Sequence, residues 1–166
     1  MMAGNAQQSL GVLLQILQES LTQKLDILTE IEAKSKAQGE MVTNPDITLE
    51  ELDANMDEKA ALIEQINKLD SGFEALYDNI RKELLAHKEE YKAEIAGIQE
   101  LIAEVMGKSA SIEALEARNK TAIEDLFRKR RKELQHRKTA SDVARRYYTA
   151  TNKIDYINPQ FMDKKK

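Results

Sequence analysis

Few clusters in this chain have the residue types and spacing to carry chemistry. Gly107-Lys108-Ser109 reads like the end of a phosphate-binding loop, in which backbone N–H groups and a lysine cradle phosphates. That loop needs a glycine five positions before Gly107, and Ile102 stands there, so the motif is excluded. The two histidines, His87 and His136, are far apart and there is no cysteine. A zinc site draws several Cys, His or carboxylate ligands together, so no metal is expected, and His87 reads as a polar residue beside an apolar seam. Carboxylates are plentiful, but they recur at helical spacing, Glu64 with Lys68 and Glu100 beside Glu104. Such runs solubilise a helix face. No nucleophile has a base at an inferable distance. Asn119-Lys120-Thr121 spells a glycosylation acceptor but falls within a helical pattern. We expect no enzyme, no cofactor and no metal.

Two features are suited to binding instead. The first is the tract Arg128-Lys129-Arg130-Arg131-Lys132, followed by His136, Arg137 and Lys138. The second is an aromatic tail: Tyr147, Tyr148, Tyr156 and Phe161 are four of the eight aromatics, interleaved with Arg145, Arg146 and Lys153. Residues 1–127 carry a net charge of −13, and residues 128–166 a net of +9. An acidic body and a basic tail do different work. Lys and Arg release counterions from phosphates, which keeps nucleic acid as a disfavoured alternative. The helix dipole and the acidic body account for part of the tract on their own.

These features must be positioned by helices. The chain has 166 residues, enough for one domain, with 33% charged and 5% aromatic residues, no Trp and only two prolines. That composition belongs to a helical or coiled-coil protein, and the lack of Cys suits a reducing cytosol. No basic, apolar leader opens the sequence and no apolar run is long enough to span a membrane. Cytoplasmic residence is expected.

A first helix is predicted from about Ser9 to Ala37, ended by Gly39. Leu10, Leu14, Leu17, Leu21, Leu28 and Ile31 form its seam, widened by Val12, Leu13, Ile16, Leu25 and Ile27. A stripe this wide suits a helix touching more than one neighbour. Asn44-Pro45 marks a turn. Thr48 and Glu51 then make a capping box, with Ile47 and Leu52 placed as a hydrophobic staple. From there the apolar spacing predicts one long helix, about 48–106, through Leu52, Met56, Ile63, Ile66, Phe73, Tyr77, Ile80 and Leu84. After one shift of phase it resumes at Tyr91, Ile95, Ile98, Ile102 and Val105. Asp70-Ser71-Gly72 is the candidate break inside it. A turn at Gly107-Lys108-Ser109 leads to a third helix with seam Ile112, Leu115, Asn119, Ile123, Leu126 and Leu134. Asp70 and Asn119, polar on the seams, point to register control.

The predicted fold is an all-α, elongated antiparallel bundle. A long central helix is flanked by two shorter ones, whose free ends meet near its middle. Residues 1–138 form the body, and residues 139–166 a flexible, basic, aromatic tail.

The order of these features resembles the FlgN-type flagellar export (type III secretion) chaperones, and the related FliT type is similar in size and composition. The resemblance rests on the Leu-rich first helix, Thr48-Leu49-Glu50-Glu51-Leu52 and the run Glu58-Lys59-Ala60-Ala61-Leu62-Ile63. It continues through Ile112-Glu113-Ala114-Leu115-Glu116-Ala117-Arg118-Asn119-Lys120 to Asn158-Pro159-Gln160-Phe161-Met162-Asp163. It implies a cytoplasmic holdase, without cofactor, for the C-terminal helical segments of hook-associated or filament-cap proteins. Such a protein prevents their premature assembly and delivers them to the export gate. On this reading the partner-binding residues are Arg130, Arg131, Leu134, Tyr147, Tyr148, Tyr156, Ile157, Phe161 and Met162. An amphipathic client helix is satisfied by a groove, and in the free protein the segment 128–162 would lie on the acidic body, so that clients compete with it. The chain would be a monomer or homodimer, without membrane insertion. A self-associating coiled-coil scaffold stands as the alternative.

Overall fold

The computed structural model describes residues 2–134 and 143–149, all helix apart from two turns. Helix α1 spans Met2–Met41, α2 Leu49–Ala86 and α3 Lys92–Leu134. A short α4 covers residues 143–149. The all-α bundle is as expected, with each long helix about 60 Å in length at 1.5 Å per residue. The expected central helix is not there. The stretch 48–106 is cut between Ala86 and Lys92, close to the shift of phase at Tyr91. Neither glycine nor proline marks the cut. The His87 N–H donates to the Glu83 and Leu84 carbonyls, and the Tyr91 N–H donates to the His87 carbonyl at 3.3 Å. A helix continuing straight would leave the apolar stripe of its second half in water. Folding back buries Ile98, Val105 and Ile112, at roughly 1.5–3 kcal/mol per large apolar side chain.

Asp70-Ser71-Gly72, the expected break, lies inside unbroken α2, and Gly107-Lys108-Ser109, the expected turn, lies inside α3. Gly39 does not end α1, which continues to Met41. A Cβ on Gly39 would sit 3.0 Å from Asn119 Oδ1, so this glycine serves the close approach of α1 to α3. The start of α2 is as predicted: the Glu51 N–H donates to Thr48 Oγ1 at 3.1 Å, and the Thr48 N–H to Glu51 Oε2 at 3.4 Å. Ile47 and Leu52 are both buried.

The helix between the others is α1. It packs on both α2 and α3, whereas no Cα of α2 lies within 8 Å of one in α3. The wide stripe of α1 thus has its two neighbours. Its seam steps by four and three through Leu10, Leu14, Leu17, Leu21, Lys24, Leu28, Ile31, Ser35 and Gln38, every one buried. In α3 the seam inherited from Ile98 and Val105 arrives at Ile112, Glu116, Asn119, Ile123 and Phe127, all buried. Leu115 and Leu126, read as seam, are half-buried flanks. The chain N-terminus does not meet the basic tract. Gly11 lies against Tyr91, beside the α2–α3 turn, while Arg130 reaches the Pro45 carbonyl in the α1–α2 turn at the other end.

Candidate interaction surface

At the α1–α2 turn end, the gap between α2 and α3 is filled from two sides. One filling is polar and buried. Lys59 Nζ donates to Glu116 Oε1 at 2.7 Å and to Gln38 Oε1 at 2.9 Å. Ser35 Oγ donates to the same Glu116 oxygen, and Asn119 Nδ2 donates to the Ser35 carbonyl at 2.7 Å and to Gln38 Oε1 at 3.1 Å. Lys59 and Glu116 are each 1% exposed. Burial pushes the Lys59 ammonium down from its ordinary pKa, and the Glu116 carboxylate pushes back. Three helices contribute to this layer, so a shift of register by one residue would strand a buried charge.

The second filling is α4. Val143 and Tyr147 are buried with Leu52 and Met56 of α2 and Ile123 and Phe127 of α3. The Tyr147 hydroxyl donates to the Glu116 carbonyl, and its ring centre lies 5.6 Å from Lys59 Nζ. Arg146 anchors the outer edge, with Nη1 2.6 Å from Asp53 Oδ1 and 3.1 Å from Asp57 Oδ1. Tyr148 stays 36% exposed. Its hydroxyl donates to Glu124, which raises its pKa, and Lys120 Nζ lies 4.5 Å from its ring centre. Seven residues are too few for a helix to persist alone in water, so α4 exists by virtue of its seat.

The expected partner-binding residues therefore divide. Tyr147 is a buried anchor against the chain's own helices, and Tyr148 lies at the rim. Arg130 is half-buried on the Pro45 carbonyl, Arg131 is exposed, and Leu134 ends α3. Tyr156, Ile157, Phe161 and Met162 lie outside the described residues. What the sequence reading missed is Lys59, Glu116, Ser35 and Gln38. The signal was present as interruptions: the apolar seams skip Lys24, Lys59 and Asp70, and a strict heptad places all three inside.

A shallower groove of about 300 Å³ runs between α1 and α2, lined by Ile16, Leu69, Gly72, Phe73 and Leu76 among others. Ile16 on its wall is 44% exposed. The heptad seam that a coiled-coil scaffold would share between like chains is buried within one chain. Among the described residues no group of His, Cys, Asp or Glu could hold a metal ion, and no helix is long and apolar enough to cross a membrane. Comparison with family models, curated proteins and solved structures returns no match.

Proposed function

We propose that this chain is an export chaperone of the flagellar type III system. In this reading it holds the C-terminal amphipathic helices of hook-associated or filament-cap proteins until they reach the export gate. The observation that carries the proposal is α4, a short helix whose apolar side is seated between α2 and α3 and buries Val143 and Tyr147. The body thus receives an amphipathic helix in a cleft that its three long helices leave open. Filament subunits carry amphipathic helices with a bare apolar stripe, and the apolar side of α4, once it leaves the body, is a surface against which such a stripe packs.

The C-terminal segment is the client-binding element, and its seat on the body is the resting state. Client capture requires α4 to leave, because the side chains it would offer are turned inward. Nothing in this role needs a cofactor or a catalytic group. The test is capture of purified hook-associated and filament-cap proteins. A truncation after Lys138 is expected to lose the client, while Asp53→Ala with Asp57→Ala, which loosens the Arg146 anchor, is expected to bind it more tightly. Undiminished capture by the truncation would overturn the assignment.

A further inference from the structure

Arg128-Lys129-Arg130-Arg131-Lys132 sits in the last turns of α3. Neighbouring residues on a helix point about 100° apart, so five consecutive cations encircle the helix rather than forming a stripe. They stand at the end of the bundle, level with the α1–α2 turn, where Arg130 meets the Pro45 carbonyl at 3.2 Å. Arg128 is paired with Asp125 at 3.0 Å. Lys129, Arg131 and Lys132 are exposed and, among the described residues, no carboxylate pairs with them.

Direct pairing with the acidic body does not account for the ring: Asp53 and Asp57 are engaged by Arg146 of α4, and Lys129, Arg131 and Lys132 reach no carboxylate among the described residues. The helix dipole favours cations only in the last turn, and the ring is wider than that. Its density of charge calls for a polyanion, and the surroundings select among polyanions. Among the described residues no unengaged aromatic face lies there to stack a base: Phe127 and Tyr147 are buried, and Tyr148 is held by Glu124 and Lys120. Glu124 and Asp125 flank the tract on the side of the body and Glu133 alone on the side of the tip, so a polyanion running along α3 meets more like charge than a flat one meeting the end of the bundle.

We propose that the basic end of α3 is a peripheral docking site for the anionic lipid headgroups of a membrane surface. Attachment is electrostatic, since Phe127 beside the ring is buried and no described helix can cross a bilayer. Clusters of four to eight Lys and Arg are what such surfaces attract. The attraction falls off within a Debye length, about 8 Å at physiological salt, so only the tip feels it.

The test is co-sedimentation of the full chain with vesicles of phosphatidylglycerol and phosphatidylethanolamine, and separately with phosphatidylcholine alone. The phosphatidylglycerol vesicles are expected to bind the protein, the phosphatidylcholine vesicles to leave it in solution, and added salt to release it. Lys129→Glu with Arg131→Glu and Lys132→Glu is expected to weaken binding at least about tenfold, with an unchanged circular dichroism spectrum. Binding that survives the triple substitution, or that is equal on both vesicle types, overturns the proposal. Tighter binding to a duplex or single-stranded oligonucleotide at the same salt overturns it in favour of nucleic acid. No client protein enters the assay, so its outcome is separate from that of the chaperone reading.

Discussion

Two buried ion pairs among the described residues have the same chemistry and different surroundings. Lys24–Asp70 joins α1 to α2 at 2.7 Å within the large apolar cluster of Leu17, Leu21, Ile66 and Phe73. Lys59–Glu116 joins α2 to α3 at 2.7 Å within a layer of Ser35, Gln38 and Asn119, under the ring of Tyr147. The first is packed against apolar side chains of α1 and α2, and the second is one member of a network whose other members depend on it. Buried pairs add little net stability, because desolvation offsets their attraction, and what they supply is specificity of register. In this molecule that work is concentrated at the end where α4 docks.

The sharpest break of the comparison is Glu116→Ala. It strands Lys59 and removes an acceptor from Ser35, and urea unfolding should show a loss of about 3–5 kcal/mol. Double replacements should then separate the two sites. Lys24→Met with Asp70→Leu is expected to stay within about 1 kcal/mol of the parent or to exceed it, since an apolar pair suits an apolar setting. Lys59→Met with Glu116→Leu should remain about 1–3 kcal/mol less stable, because polar partners are left buried and unpaired. Equal behaviour of the two doubles would erase the distinction.

A pH titration sharpens it further. Burial lowers the Lys24 pKa from 10.5 to about 8, against the pull of Asp70. The folded form therefore binds fewer protons than the unfolded chain between about pH 8 and 10.5, and stability from this group rises with pH across that window. The slope is at most about 1.4 kcal/mol per pH unit. Below about pH 8 Lys24 is protonated in both states and its contribution is flat. Thermal unfolding of Lys24→Met should lack this rise.

The smallest effects lie at the glycines. Gly72 in α2 has open space where a Cβ would go, so Gly72→Ala should stabilise by up to about 1 kcal/mol. Gly39→Ala should not, because the Asn119 oxygen 3.0 Å away belongs to a side chain already held by Ser35 and Gln38.

The helical class, the capping box at Thr48 and the apolar seams could all be read from spacing alone, because each is set within a few turns of chain. The polar members of those seams were legible only in part. Asp70 and Asn119 stood out on the seams, but Lys24, Lys59 and Glu116 resembled the solvated charges that surround them in the sequence. A lysine on a seam and a lysine on a surface differ only by phase. The phase of α3 is carried from Tyr91 onward, so misplacing its start at Gly107 exchanged Leu115 for Glu116.

The sequence by itself determined that the chain would be long amphipathic helices with an acidic body and a basic end. Periodicity and charge are local properties. Only the tertiary structure decided where the long apolar run turns back, since no breaker residue marks His87–Tyr91 and the gain comes from burying Ile98, Val105 and Ile112. Only the tertiary structure made α1 the shared helix, paired Lys59 with Glu116 across 57 residues, and turned Tyr147 inward. Each of these joins residues far apart along the chain. Such contacts depend on which faces meet in space, and no window of sequence contains both partners.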